Sequence, residues 1–162
     1  MLLNFEDYVD LIEKANTKNL GNLFCYILDE NQDAEKIISF LQNDGYIPCY
    51  AGLDSVKYSV SVEQWLRNFY DATLIVTDSF HACVFSILFG KPFVVLRNKV
   101  RGTARLDSLL KMFSLEVCAI ESFNEFIERR EVIIKEYDVD RVSAVLNEWR
   151  EKTSDFFKSA GL

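Results

Sequence analysis

The chain has 162 residues, a net charge of −7 and a hydrophobic fraction of 49%, which is ordinary for a globular protein. The acidic balance argues against general affinity for nucleic acid or for an anionic membrane surface. No apolar run reaches the roughly 20 residues that span a bilayer, and the N-terminus lacks the pattern of a signal peptide. We expect a single domain over residues 1–162.

The four cysteines lie singly in apolar stretches, and no two of them form a Cys-x-x-Cys pair. This pattern is typical of reduced core residues rather than of disulfides or zinc ligands. Since the chain has one histidine, a transition-metal site is not expected. The sequence therefore predicts a cytoplasmic protein without a bound metal.

The N-terminal part of the chain alternates between helical and strand patterns. Apolar spacing predicts a helix over residues 7–15 and another over about 32–42. Short apolar runs predict strands over 23–28 and 46–50. The segment Ser61-Val-Glu-Gln64 matches a capping box and predicts the start of a further helix.

The central stretch has the pattern of strand, loop, helix and strand. Residues 73–77 form a β-branched apolar run, typical of a strand buried on both faces. Asp78 and Ser79 follow with side-chain oxygens that can cap a helix. A helix is predicted over 81–89 and a second buried strand over 92–96, which together make one βαβ unit.

The C-terminal part continues the alternation, with helices predicted over 106–113, 122–135 and about 138–158 and a short strand over 116–120. Strands that alternate with helices predict an α/β fold. We expect a Rossmann-like, doubly wound parallel sheet of about five strands flanked by helices, with strand order 3-2-1-4-5.

The first candidate site is the loop from Asp78 to His81, which holds the chain's single histidine. A helix N-terminus offers unpaired N–H groups and favours a carboxylate or phosphate. A histidine there can bind an anion or transfer a proton. The alternative is that Asp78 or Ser79 merely caps the helix and His81 is a packed surface residue.

The second candidate is a cluster of basic residues between positions 91 and 111, where Asp107 is the only acid. Its members are Lys91, Arg97, Lys99, Arg101, Arg105 and Lys111. Because a parallel strand precedes the arginines, they should lie at the same sheet edge as His81. Together the two features indicate a pocket for a small anion; the alternative is a solvated loop with unrelated charges.

Several segments of the chain form a combined signature that is more specific than any one of them. They are Trp65-Leu66, Asp71-Ala72, Val76-Thr-Asp-Ser-Phe-His81, Phe85-Ser-Ile-Leu-Phe89, Lys91-Pro-Phe93, Asn98-Lys-Val-Arg-Gly-Thr-Ala-Arg105 and Ser108-Leu-Leu110. With these segments the chain, from about Leu3 to Leu115, resembles the polysaccharide pyruvyl transferase family.

The resemblance implies two Rossmann-type halves in the manner of the glycosyltransferase-B fold, of which this chain matches the C-terminal half. Such enzymes, from bacterial cell-surface polysaccharide biosynthesis, transfer pyruvate from phosphoenolpyruvate to two sugar hydroxyls as a ketal. Phosphoenolpyruvate is the donor substrate, a saccharide is the acceptor, and no further cofactor is implied. We therefore expect a donor-binding half that is inactive without the missing N-terminal half-domain.

The resemblance also implies roles for individual residues. His81 would help to bind phosphoenolpyruvate and act as the general acid. Arg101 and Arg105 would contact the substrate, with Arg97 as a further candidate. Backbone donors at Ser79 and Phe80 would help to hold it.

The chain departs from its relatives at two positions of the loop. Many relatives have glycine where this chain has Ala82, and relatives of another branch have arginine where it has Phe80. The second difference removes one possible contact to an anion.

Two other functions remain open at this level. A donor-binding domain of a nucleotide-sugar glycosyltransferase would need an acidic residue for the ribose hydroxyls, and Glu116 and Glu121 are the nearby candidates. A non-catalytic interaction domain would instead need an exposed apolar patch at the edge of the cleft.

Overall fold

A computed structural model describes residues 3–15, 21–51, 59–98 and 103–160. Its strands are β1 (Leu23–Tyr26), β2 (Pro48–Ala51), β3 (Leu74–Thr77), β4 (Phe93–Leu96) and β5 (Ala119–Ile120). Its α-helices are α1 (Val9–Glu13), α2 (Gln32–Asn43), α3 (Val62–Asp71), α4 (Phe80–Leu88), α5 (Ala104–Phe113), α6 (Phe123–Lys135) and α7 (Val139–Ser159). Short 3-10 turns precede α1 (Phe5–Tyr8) and β5 (Glu116–Cys118).

The five strands form one parallel sheet in the order β2-β1-β3-β4-β5. Leu23 of β1 lies opposite Pro48 of β2 on one side and Leu74 of β3 on the other. The predicted α/β class and the five-stranded Rossmann-like parallel sheet are confirmed.

The predicted strand order 3-2-1-4-5 is wrong. The chain runs outward from β1 to β2 and then crosses back, so that β3 pairs with β1 at the centre of the sheet. The burial of the strands agrees with this order: all four residues of β3 are buried, as in a central strand, whereas three of the four residues of β2 are half-buried, as suits an edge. Ligands bind such sheets at the point where the strand order reverses, here between β1 and β3.

The apolar strand residues alternate between two packed layers. Phe24, Ile75 and Val95 face a layer built from α3, α4, α5 and α7, whereas Cys25 and Val76 face a layer built from α2 and α6. Both faces of the sheet are therefore covered, which is why the strands have apolar runs without a polar side. None of the helices in the described ranges is long and apolar enough to cross a bilayer.

Candidate functional site

A cavity of about 310 Å³ lies at the carboxyl ends of β1, β3 and β4, beside the point where the strand order reverses. Its lining residues come from three loops and the first turns of two helices, and they are Leu28, Asp78, Ser79, Phe80, His81, Asn98, Thr103, Arg105 and Leu106. Parallel strands bring these loops to one edge although they are far apart in the sequence.

The loop after β3 places the first turn of α4 against this cavity. The Thr77 hydroxyl donates a hydrogen bond to the Tyr26 carbonyl at 2.6 Å and accepts one from the Ser79 backbone N–H at 3.0 Å. Ser79 then takes the extended conformation of an N-cap residue, and α4 begins at Phe80. The buried Thr77 side chain thus fixes the start of the helix that carries His81.

The helices that begin at the cavity differ from their neighbours in how they start. Ser79 of α4 and Thr103 of α5 occupy the N-cap positions, yet neither side chain accepts a hydrogen bond from the described residues of its helix. By contrast, the cap side chains at the starts of α2, α3, α6 and α7 accept hydrogen bonds from backbone N–H groups of their helices. These caps are Asn31, Ser61, Ser122 and Asp138. The first-turn N–H groups of α4 and α5 are therefore suited to bind an anionic ligand.

Asp78 does not cap α4, contrary to one expectation from the sequence. Its side chain is buried, with Oδ1 accepting a hydrogen bond from the Leu28 N–H at 2.8 Å and Oδ2 accepting one from the Asp29 N–H at 3.1 Å. Burial raises the pKa of this carboxyl group, and the two backbone hydrogen bonds oppose that shift. Asp78 therefore ties the loop after β1 to the loop after β3.

A further hydrogen bond connects the loop after β4 to the loop after β1. The Asn98 side-chain amide donates a hydrogen bond to the Asp29 carboxylate. Together with Asp78, this contact links the ends of β1, β3 and β4 around the cavity. The sequence did not predict this contact, although both residues follow predicted strands at the carboxyl edge.

His81, Phe80 and Arg105 lie together at the mouth of the cavity. The rings of Phe80 and His81 meet edge to face with centroids 5.7 Å apart. The Arg105 guanidinium carbon lies 5.4 Å from the centroid of the Phe80 ring. His81 and Arg105 are both exposed, and within the described ranges no carboxylate forms an ion pair with Arg105. One imidazole and one guanidinium can therefore reach a ligand in this cavity.

The sequence model of the family described as "Polysaccharide pyruvyl transferase" matches residues 3–100, which is more than half of the chain. The chain belongs to the polysaccharide pyruvyl transferase family. No curated protein matches it. The matched range contains β1 to β4 and the whole loop from Asp78 to His81. Most of the residues that line the cavity therefore lie within the range that the family model matches.

Two further basic residues predicted near the site of this pyruvyl transferase family member, Arg97 and Lys91, do not line the cavity. Arg97 forms an ion pair with Asp107 in the first turn of α5 and is not among the described residues that line the cavity. Arg101 lies outside the described residues. The Lys91 ammonium group instead donates a hydrogen bond to the Tyr70 carbonyl at 2.8 Å, and burial lowers the pKa of Lys91.

A metal centre finds no support in the described part of the chain, where no group of three or more His, Cys, Asp or Glu side chains is arranged to hold an ion. Among the described residues, the cavity lining supplies hydrogen-bond donors, one imidazole and one guanidinium, beside the buried Asp78 carboxyl group. Those groups suit a small ligand that carries negative charge.

Proposed function

We propose that the cavity is the donor site of a pyruvyl transferase and binds phosphoenolpyruvate. The observation that carries the proposal is the convergence of two helix N-termini without side-chain caps on one cavity that also has Arg105 and His81 at its mouth. Phosphoenolpyruvate has a carboxylate and a phosphate within three carbons. Two helix N-termini and one guanidinium supply donors for both anions.

The proposed reaction breaks the bond between the enol carbon and the phosphate oxygen. His81, as general acid, gives a proton to the methylene carbon, which becomes a methyl group, and a sugar hydroxyl attacks the neighbouring carbon. A second hydroxyl attacks the same carbon as phosphate leaves, so that two C–O bonds form. The two hydroxyl protons balance the equation: one replaces the proton given by His81 and the other leaves with phosphate.

The polar walls of the cavity have distinct tasks in this proposal. The Phe80 N–H in the first turn of α4, with Arg105, binds the donor, while Arg101 stays a candidate from the family resemblance. The Ser79 N–H, which was also expected to bind the donor, instead donates a hydrogen bond to the Thr77 hydroxyl. The acceptor is a saccharide of a cell-surface polysaccharide, and it approaches from the open side where His81 and Arg105 are exposed. Asp78 and Asn98 hold the three loops in place and need not touch the donor.

Titration calorimetry tests which donor the cavity binds. We expect phosphoenolpyruvate to bind and a uridine or guanosine diphosphate sugar to fail. We expect His81→Ala to weaken phosphoenolpyruvate binding by about tenfold or more through loss of one hydrogen bond to an anion. Glu116 and Glu121, which a nucleotide-sugar enzyme could use for ribose, are not among the described residues of the cavity wall. Binding of the nucleotide sugar alone would support the glycosyltransferase alternative, and binding of neither ligand would support a non-catalytic domain.

The isolated chain is expected to bind the donor without sustained turnover. His81 and Arg105 are exposed, so water has access to the mouth of the cavity, and transfer to a sugar requires that water be excluded. A coupled assay for phosphate release, with phosphoenolpyruvate and a range of saccharides, measures this directly. Sustained phosphate release that depends on a saccharide would contradict the expectation.

A further inference from the structure

The Phe80 ring contacts both of the exposed side chains at the mouth of the cavity, Arg105 and His81. The Arg105 guanidinium lies over its ring at 5.4 Å, and the His81 imidazole meets the ring edge to face at 5.7 Å. Phe80 itself is half-buried against the α3–α4–α5–α7 layer, so its ring is held by packing while part of it remains open to the cavity.

Arg97 and Arg105 are held in different ways. Arg97 is fixed by the Asp107 carboxylate, which neutralises its charge. Arg105 is held over an aromatic ring instead, and a ring orients a guanidinium without supplying a counter-charge. Within the described residues, no carboxylate thus offsets the positive charge of the Arg105 guanidinium, which remains available to a ligand. The ring orients this guanidinium although the side chain is long, exposed and otherwise flexible.

We propose that Phe80 is a positioning residue that holds the Arg105 guanidinium over the donor site. The inference rests on the proposed function for its consequence, which is tighter donor binding, but the pairing itself is independent of any ligand. By pre-organising Arg105, the ring lowers the entropy lost when the guanidinium contacts an anion. Phenylalanine at this position therefore supports anion binding through Arg105, and does more than remove the cation that an arginine there would supply.

The pairing is tested on the free chain by NMR of the arginine side chains. The Arg105 Nε–Hε signal, assigned by its absence in Arg105→Lys, should show the upfield ring-current shift of a group above an aromatic face. Phe80→Leu should abolish the shift, Phe80→Tyr should retain it, and Phe80→Met replaces the leucine variant if that one does not fold. Phe85→Leu is the matched control, because Phe85 lies on the same helix and packs against Trp65. An unchanged Arg105 signal in Phe80→Leu would overturn the proposal.

The consequence is tested by the affinity for phosphoenolpyruvate in a double-mutant cycle. Phe80→Leu should weaken binding about two- to fivefold, the range of an exposed cation–π contact, and Phe85→Leu should leave it unchanged. In the Arg105→Ala background, Phe80→Leu should have no further effect. Additive effects of the two substitutions would refute a role through Arg105. If the wild-type chain binds no phosphoenolpyruvate, the proposed function fails, while the Arg105 signal still decides whether Phe80 holds the guanidinium.

Discussion

Replacing Asp78 with alanine is expected to lower the free energy of unfolding by about 2 kcal/mol, since each partly buried N–H left without an acceptor costs roughly 1 kcal/mol or more. The substitution removes the acceptor for the Leu28 and Asp29 backbone N–H groups and with it the tie between the ends of β1 and β3. Urea denaturation monitored by circular dichroism measures the change. Asp155→Ala is the matched control, because its exposed pairing with Lys158 should contribute less than about 0.5 kcal/mol. Equal losses in the two variants would contradict a structural role for Asp78.

The same carboxyl group should also change how stability depends on pH. Burial raises the folded-state pKa of Asp78 above its unfolded value of about 3.9, so the folded protein keeps this proton to a higher pH than the unfolded chain does. The contribution of Asp78 to stability is therefore largest below about pH 3.9 and declines as the pH rises through the folded pKa. Asp78→Asn cannot titrate, so the unfolding free energy of the wild type minus that of the variant should decrease over this pH window. An increase with pH would show that the folded-state pKa is lowered instead.

Local sequence patterns were sufficient to predict the class of the fold, but they carry no information on which strands pair. The apolar runs of β1, β3 and β4 indicate strands with both faces covered, and the helical spacing between them implies a parallel sheet. The order of the strands depends on which side of β1 each crossover turns to, and no single segment determines that choice. The less complete burial of β2 does separate an edge strand from a central one, but it is visible only in the folded chain.

The location of the candidate site could be predicted for the same topological reason. His81 and Arg105 follow neighbouring parallel strands, β3 and β4, and the carboxyl ends of such strands meet at one edge. The side-chain partners could not be predicted, because they are non-local. An aspartate at the end of a strand can cap the next helix or bond to the adjacent strand, and Asp78 takes the second option only because the Leu28 and Asp29 N–H groups lie beside it. Likewise, nothing in the sequence around Arg97 shows that Asp107 will neutralise it.

Arg105→Ala is expected to weaken phosphoenolpyruvate binding about ten- to hundredfold, the effect of losing a charge-assisted contact to an anion. The reason is that Arg105 is the cavity's guanidinium within the described residues and carries no carboxylate partner there that could absorb its charge. The affinity of Arg105→Lys should fall between those of the wild type and the alanine variant, because lysine keeps the positive charge but cannot make the bidentate contact of a guanidinium. Calorimetric titration at fixed ionic strength measures all three affinities.

The decisive comparison is with Lys111→Ala, which removes one positive charge from the same helix at an exposed position that is not among the described cavity residues. If α5 attracts the donor merely through its overall charge, the two alanine variants should lose similar affinity, and added salt should remove both losses. If Arg105 contacts the donor directly, its loss should be at least tenfold larger and should persist at an ionic strength where Lys111→Ala binds like the wild type. Similar affinities for the two variants would therefore contradict a direct contact and remove Arg105 from the proposed donor site.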